Sequence, residues 1–194
     1  MSCFVAWGDK LASEGPAAFY SADYFADYPP GYILVLGLVS LVRKALQLSY
    51  ESRWTYFLLA LIPAICDCAA VVLLDHISRR YMGQGRAQRC LVLFAAFCPL
   101  TLFDTGIWKQ IDGAFALPLL LCFWLLEERR YLLAAVLYGV ALAIKPQALL
   151  AGPVLAVCFL VAIADAVRDG KSPLKSVGQI FGGAALALLP PLLA

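Results

Sequence analysis

Residues 55–78 read TYFLLALIPAICDCAAVVLLDHIS, an apolar run with two charged residues, Asp67 near its middle and Asp75 near its end. A helix that crosses a bilayer needs about 20 mostly apolar residues, within a range of about 17–25. The run therefore predicts a transmembrane helix. Lipid offers no hydrogen-bond partner to backbone N–H and C=O groups. The other membrane segments of such a chain are therefore expected to be helical as well.

The composition of the 194 residues agrees with a membrane protein: 63% are hydrophobic and 14% are charged. A soluble domain is nearer one half apolar and one quarter charged. The net charge of +2 is too small to indicate a nucleic-acid partner. Seven cysteines lie mostly within apolar runs, and the single histidine, His76, leaves no Cys/His set for zinc. No cofactor is identified, and the sequence leaves dependence on a divalent metal open.

Further apolar runs predict an all-α, polytopic transmembrane helix bundle with about six spanning helices. The runs cover 32–47, 55–78, 88–107, 113–127, 131–144, 147–167 and 176–194. Basic residues concentrate in the loops at 79–89, 127–130 and 168–175, which the positive-inside rule places in the cytoplasm. The loops at 108–112 and 145–147 are then expected on the extracytoplasmic face of a multi-pass protein of the cell membrane.

The run 32–47 is short, at about 16 residues, and ends near Arg43 and Lys44. If it crossed the bilayer, the N-terminal segment would share the side of the basic loop 79–89. An interfacial or re-entrant helix is the preferred prediction, with a plain span as the alternative. We therefore expect one transmembrane domain over 1–194, with an external loop and interfacial helix in 1–54 and spanning helices in 55–194.

Three polar patches fall on the predicted outer face, at 24–32, 108–112 and 145–147. The purely structural interpretations are a Pro-Gly turn for the first patch, an aromatic membrane anchor for Trp108, and a lysine that extends from a helix end to the membrane surface for Lys145. The functional interpretation combines them. A carboxylate can act as general base on a hydroxyl, a lysine can pair with phosphate, and aromatic faces suit sugar rings.

Asp67 has two possible interpretations. An ionisable residue within a membrane helix is costly and is by default a functional-site hypothesis, here the midplane ion or proton site of a transporter. The structural alternative, which we prefer, is a buried hydrogen bond to a neighbouring helix.

Four short motifs, at 27–32 (DYPPGY), 62–67 (IPAICD), 108–112 (WKQID) and 143–147 (AIKPQ), occur in the order of a known family. Together they resemble the bacterial polytopic membrane glycosyltransferases of the GT-C type, mannosyltransferase-like relatives of the dolichyl-phosphate-sugar enzymes. The resemblance implies membrane lipid as a partner, a polyprenyl-phosphate-linked sugar as donor, and transfer on the extracytoplasmic face.

Two departures accompany the resemblance. Lys109 stands where the family pattern WGQ has glycine, and the added side chain is expected to alter the fit of the donor. The family also has a first helix and a catalytic Asp shortly before a stretch like residues 3–7. The resemblance thus implies that this chain is a fragment of a larger enzyme, with activity that depends on the segments before and after it.

The resulting hypothesis is a membrane glycosyltransferase that transfers a hexose, with mannose expected, from a polyprenyl-phosphate sugar. A secondary transporter or lipid flippase, or a truncated non-catalytic membrane protein, are the alternatives. The candidate catalytic acids are Asp27 and Asp112. The candidate substrate-binding residues are Gln110, Lys145 and Gln147 for the donor phosphate, and Trp108, Tyr28 and Tyr32 for the sugar or lipid entrance.

Overall fold

The computed structural model describes residues 2–20, 24–170 and 173–192. In that part of the chain the regular structure is helical and contains no strand, which confirms the predicted all-α membrane helix bundle. The α-helices are α1 Ser2–Glu14, α2 Pro16–Phe19, α3 Pro30–Ala45, α4 Arg53–Met82, α5 Arg86–Ala96, α6 Pro99–Phe103, α7 Asp112–Glu127, α8 Tyr131–Ile144, α9 Gly152–Arg168 and α10 Pro173–Leu192. A π-helical turn covers Asp104–Trp108 and a 3₁₀ segment covers Pro146–Ala151.

Three of the described segments are long and apolar enough to cross a membrane: Arg53–Met82, Arg86–Trp108 and Pro146–Asp165. They coincide with the spans expected to begin near 55, 88 and 147. The other expected spans coincide with α7, α8 and α10, which have 16, 14 and 20 residues. Lys171 and Ser172, in the basic loop 168–175, lie outside the described residues.

The longest helix, α4, has clear local signals at both ends. The Ser52 hydroxyl accepts a hydrogen bond from the backbone N–H of Thr55 at 3.1 Å, which caps the first turn. At the other end Gly83 takes a φ of 68°, a left-handed value that glycine adopts without strain, and its N–H bonds the Arg79 carbonyl. Between these caps α4 carries Asp67.

The chain forms two compact units, residues 1–117 and 118–194. In the first unit α1 packs closely on α3, the helix formed by most of the run 32–47. A Cβ at Gly8 would lie 2.9 Å from the carbonyl carbon of Leu36 and closer still to its oxygen. The absence of a side chain at Gly8 therefore allows the two backbones to approach. Whether α3 crosses the membrane stays a prediction.

An ion pair ties α1 to α3 beside this contact. Both oxygens of Asp9 accept from Nη2 of Arg43, at 2.7 and 2.8 Å, and the Ser40 hydroxyl also donates to Asp9. Nη1 of Arg43 donates to the carbonyl of Leu48 at 2.9 Å, beyond the end of α3. The guanidinium thus joins α1, α3 and the segment that leads into α4.

The second unit has its own apolar core, formed by α7, α8 and α9. Its buried members are Cys122, Leu125, Ala134 and Leu155. Helix α10 lies against α8 at Gly183, where a Cβ would be 2.5 Å from the Leu132 carbonyl oxygen. The expected single domain and its internal division at residue 54 stay predictions.

Candidate functional site

The site is built on the polar segment 104–112, between α6 and α7. The carbonyl oxygen of Asp104 accepts from the backbone N–H groups of both Lys109 and Gln110, which closes the π-helical turn. Lys109 then takes φ 56° and ψ 40°, a left-handed conformation that reverses the chain. Glycine adopts this conformation at least cost, which gives a physical reason for glycine in the WGQ pattern.

Asp67 reaches this segment from the middle of α4. Its Oδ2 accepts a hydrogen bond of 2.5 Å from the hydroxyl of Thr105, which is buried. Its Oδ1 lies against Gly113, where a Cβ would collide with the carboxylate and lie 2.7 Å from the Pro63 carbonyl oxygen. The sequence favoured a structural role for Asp67, a buried hydrogen bond to a neighbouring helix, and the bond from Thr105 is a contact of this kind.

A cavity of about 330 Å³ opens beside this contact. Three carboxylates, those of Asp67, Asp104 and Asp112, line it together with the indole of Trp108. A second cavity of about 380 Å³ is lined mainly by apolar side chains of α4, α5 and α6, and it shares Asp67 and Thr105 with the first. The Asp67–Thr105 pair therefore contributes to the walls of both cavities.

The N-terminal segment reaches the same region through Tyr28. The Tyr28 hydroxyl donates to Oε1 of Gln110 at 3.2 Å. Its ring lies among Phe4, Trp7 and Tyr32, with centroid separations of 5.8, 5.9 and 4.6 Å. This aromatic cluster holds the hydroxyl at Gln110. Pro29 precedes α3 and Pro30 begins it, as proline favours the first helical position.

Negative charge surrounds the Tyr28 hydroxyl. Burial, and then the charges of Asp27, Asp112 and Asp104, raise the pKa of Tyr28 above its ordinary value. The neutral phenol is therefore retained as a hydrogen-bond donor. The same interactions indicate that Asp27 and Asp112, the two predicted acids, both act electrostatically on one hydroxyl.

Lys145 and Gln147 belong to the second unit. The backbone N–H of Lys145 bonds the Ala141 carbonyl at 2.9 Å and ends α8, and Pro146 begins the 3₁₀ segment. The side chain of Lys145 is only 9% exposed, whereas that of Gln147 is exposed. Lys145 therefore lies largely buried at the end of α8, and Gln147 lies at the surface.

Comparison with known proteins supports the class of protein that these features indicate. The sequence pattern of glycosyltransferase family 87 matches residues 25–194, most of the chain. The chain belongs to glycosyltransferase family 87. No curated protein and no solved structure matches the sequence. Family 87 membership and the apolar helices confirm a membrane glycosyltransferase.

Within this family 87 protein, the structure brings together some of the predicted residues. Tyr28 and Gln110 are hydrogen-bonded, and Trp108 and Asp112 line one cavity. Asp27 is exposed and is not part of that lining. Tyr32 is 3% exposed and packs in the aromatic cluster rather than on an open wall.

Two residues at this family 87 site were not predicted, Thr105 and Gly113. Both adjoin a charged residue, Asp104 and Asp112 respectively, which is a weak signal in one sequence. Their contact with Asp67 depends on how α4 packs against the turn, and short-range patterns do not carry that information. The described residues contain no cluster of three His, Cys, Asp or Glu side chains arranged to hold a metal ion.

Proposed function

We propose that this family 87 protein transfers a hexose, with mannose expected, from a polyprenyl-phosphate sugar to an acceptor hydroxyl on the extracytoplasmic face. Asp27 and Asp112 are the acidic residues of the site, and they support the base or position the acceptor. Gln110, Lys145 and Gln147 bind the phosphate of the donor. Trp108 and Tyr28 contribute aromatic surface at the sugar or lipid entrance, and the buried Tyr32 supports Tyr28 from within the aromatic cluster.

The observation that supports this proposal most directly is the carboxylate-lined cavity beside Trp108. Its volume of about 330 Å³ falls at the lower end of the usual range for small-molecule sites, roughly 300–1,000 Å³. Carboxylates can take a proton from a sugar hydroxyl and accept hydrogen bonds from its neighbours. The neighbouring apolar cavity is compatible with a donor that carries a lipid chain.

Departure of a lipid phosphate requires positive charge or hydrogen-bond donors, because negative charge develops on the leaving oxygen. Lys145 is the candidate for this task, since a charge-assisted hydrogen bond from a partly buried ammonium is strong. The amides of Gln110 and Gln147 add neutral donors. The reaction forms a glycosidic bond to the acceptor oxygen, breaks the bond from sugar to phosphate, and releases polyprenyl phosphate while the base takes the acceptor proton.

The test is sugar transfer by the purified protein in proteoliposomes, supplied with radiolabelled polyprenyl-phosphate mannose and a membrane-lipid extract as acceptor. Loss of general-base catalysis costs about 10²–10⁴-fold, so Asp112→Asn is expected to lower the rate at least about 100-fold. Lys145→Ala is expected to lower it about 10-fold or more. Asp75→Asn is the matched control, because Asp75 pairs with Arg79 on α4 away from the carboxylate cavity.

Two outcomes would overturn the proposal. Transfer that is unchanged in both Asp112→Asn and Lys145→Ala would remove the assigned site. Ion- or proton-coupled solute uptake that Asp67→Asn abolishes, in the absence of any sugar transfer, would favour the transporter instead. Donors carrying glucose or galactose, tested in parallel, distinguish a wrong sugar from a wrong reaction.

The proposed location of the site on the extracytoplasmic face of the membrane is tested separately, by cysteine labelling of intact cells. In a background without native cysteines, a cysteine at Lys109 is expected to react with a membrane-impermeant maleimide. A cysteine at Arg86, the first residue of α5 and part of the basic stretch 79–89, is expected to react only after the membrane is permeabilised. The reverse pattern would place the polar segment 104–112 in the cytoplasm.

A further inference from the structure

We propose that Asp67 is the positioning residue of the candidate site, and that it holds both ends of the segment 104–112. This inference deepens the proposed function and rests on it. Asp67 would not itself exchange a proton with substrate. It would set where Trp108, Gln110 and Asp112 stand by fixing the turn before them and the helix after them.

The first end of the segment is held by a hydrogen bond. Thr105 lies within the π-helical turn and is 6% exposed, and its hydroxyl donates to Oδ2 of Asp67 at 2.5 Å. A buried hydroxyl that loses its acceptor is left unsatisfied, which is costly. The turn is therefore expected to shift if Asp67 no longer accepts.

The second end lies close against the same carboxylate. Oδ1 of Asp67 lies against Gly113, in the first turn of α7, at a distance that only glycine permits. A carboxylate beside the first turn of a helix is also favoured by the helix dipole. Asp112 precedes Gly113 directly, so the placement of this candidate acidic residue follows from the contact between Asp67 and Gly113.

Between the two ends, the segment makes contacts of its own and a contact with Tyr28. Trp108 is 63% exposed, and Lys109 holds a left-handed conformation with its ammonium donating to the Gly106 carbonyl at 2.9 Å. Gln110 is held on its other side by Tyr28. Since a displacement of about 1 Å at a catalytic group can cost about 100-fold in rate, the anchor at Asp67 has a direct functional consequence.

The experiment compares Asp67→Ala, Asp67→Asn, Thr105→Val and Thr105→Ser in the transfer assay. Asp67→Ala is expected to lower kcat about 100-fold with a much smaller change in KM. Asp67→Asn keeps an oxygen that accepts the hydrogen bond from Thr105, so it is expected to lower kcat less than Asp67→Ala does. Thr105→Val is expected to lower kcat at least about tenfold. Thr105→Ser keeps the hydroxyl and is expected to lower kcat much less.

A double variant separates positioning from direct chemistry. If Asp67 acts through Thr105, the double variant Asp67→Ala/Thr105→Val is expected to be no slower than Asp67→Ala alone. Losses that multiply would overturn the proposal. Equal inactivity of Asp67→Asn and Asp67→Ala would also overturn it, because a residue that exchanges a proton cannot be replaced by an amide.

Amide hydrogen exchange measured by mass spectrometry tests the same anchor without any activity. Residues 104–113 are expected to exchange faster in Asp67→Ala and Thr105→Val than in the unsubstituted protein, whereas residues 131–144 of α8 stay unchanged. Asp75→Asn, a matched carboxylate change on α4, is expected to leave exchange in 104–113 unaltered. Unchanged exchange in Asp67→Ala would overturn the inference, whereas absent sugar transfer by the unsubstituted protein would overturn only the proposed function.

Discussion

The hydroxyl of Tyr28 donates a hydrogen bond to Oε1 of Gln110 at 3.2 Å, although the two residues are 82 positions apart in the chain. The bond joins the segment before α3 to the polar segment that precedes α7. Tyr28 in turn is packed against Phe4, Trp7 and Tyr32. The N-terminal helix α1 therefore contributes, through this aromatic cluster, to the placement of a candidate substrate-binding amide.

Tyr28→Phe is expected to weaken the placement of Gln110 while preserving the aromatic cluster. A neutral hydrogen bond contributes about 0.5–1.5 kcal/mol, so sugar transfer is expected to fall about 2–10-fold. The measurement is the transfer rate at saturating donor. Tyr24→Phe is the matched control, because it keeps the ring that lies 4.5 Å from the Lys10 ammonium and leaves Gln110 untouched. An equal fall in the transfer rate of both variants would show that the hydrogen bond to Gln110 has no special role.

Lys109 occupies a left-handed conformation, with φ 56°, in which a side chain is a disadvantage. Lys109→Gly is expected to keep the turn, because glycine adopts a positive φ at least cost. Lys109→Val is expected to disrupt the turn, because a β-branched residue with positive φ is strongly disfavoured. Hydrogen exchange over residues 104–113 reports the difference. Slower exchange in Lys109→Val than in Lys109→Gly would contradict this account of the turn.

Gly8→Ala is expected to separate α1 from α3. The added methyl group would meet the backbone of Leu36, which cannot rotate away, and Cβ of Ser40 at 3.2 Å. We expect a loss of about 1–3 kcal/mol, measured as a lower thermal midpoint in detergent. Gly178→Ala, in α10, meets no atom within 4 Å and is expected to be neutral or slightly stabilising. A lower midpoint for Gly178→Ala than for Gly8→Ala would refute the contact.

The Asp9–Arg43 pair predicts a loss of stability in acid. Burial opposes ionisation, but the hydrogen bonds from Ser40 and Arg43 and the charges of Arg43 and Lys44 hold the pKa of Asp9 below its ordinary value. The folded state therefore binds this proton more weakly than the unfolded state. The stabilisation is fully present above the ordinary carboxyl pKa of about 4, and it is lost as pH falls through the lower folded value.

Thermal unfolding of Asp9→Asn measures this effect. The variant is expected to be less stable than the unsubstituted protein at neutral pH, and the difference is expected to shrink as pH falls below about 4. Glu14→Gln is the control, because the Lys10–Glu14 pair is at the surface and contributes little. A difference between Asp9→Asn and the unsubstituted protein that is independent of pH would exclude the ionised pair as its cause.

Much of the fold follows from local patterns. The run 55–78 is apolar over the length of a span, and it forms α4 with Ser52 at its start and Gly83 at its end. The runs that predicted helices near 113, 131, 147 and 176 correspond to helical segments in the same order. Hydrophobic burial in lipid and internal backbone hydrogen bonding act on each segment separately, so a single sequence carries this information.

The candidate site is less visible in the sequence. The polar residues at 104–112 were identified as a patch, and Trp108 and Asp112 do line one cavity. The contacts that Asp67 makes with Thr105 and Gly113 were not predicted, although a hydrogen bond from Asp67 to a neighbouring helix was the preferred interpretation. Those contacts depend on how closely two helices and a turn approach one another, and patterns within one segment do not carry that information.

The sequence by itself determined the helical membrane class, the order of the helices and, through its ordered motifs, the resemblance to membrane glycosyltransferases. These properties depend on composition and on interactions within one helix or turn. Only the tertiary structure decided that Asp67 holds Thr105 and faces Gly113, and that Tyr28 bonds Gln110. Such contacts join residues far apart in the chain, and they exist because packing brings specific atoms within hydrogen-bonding distance.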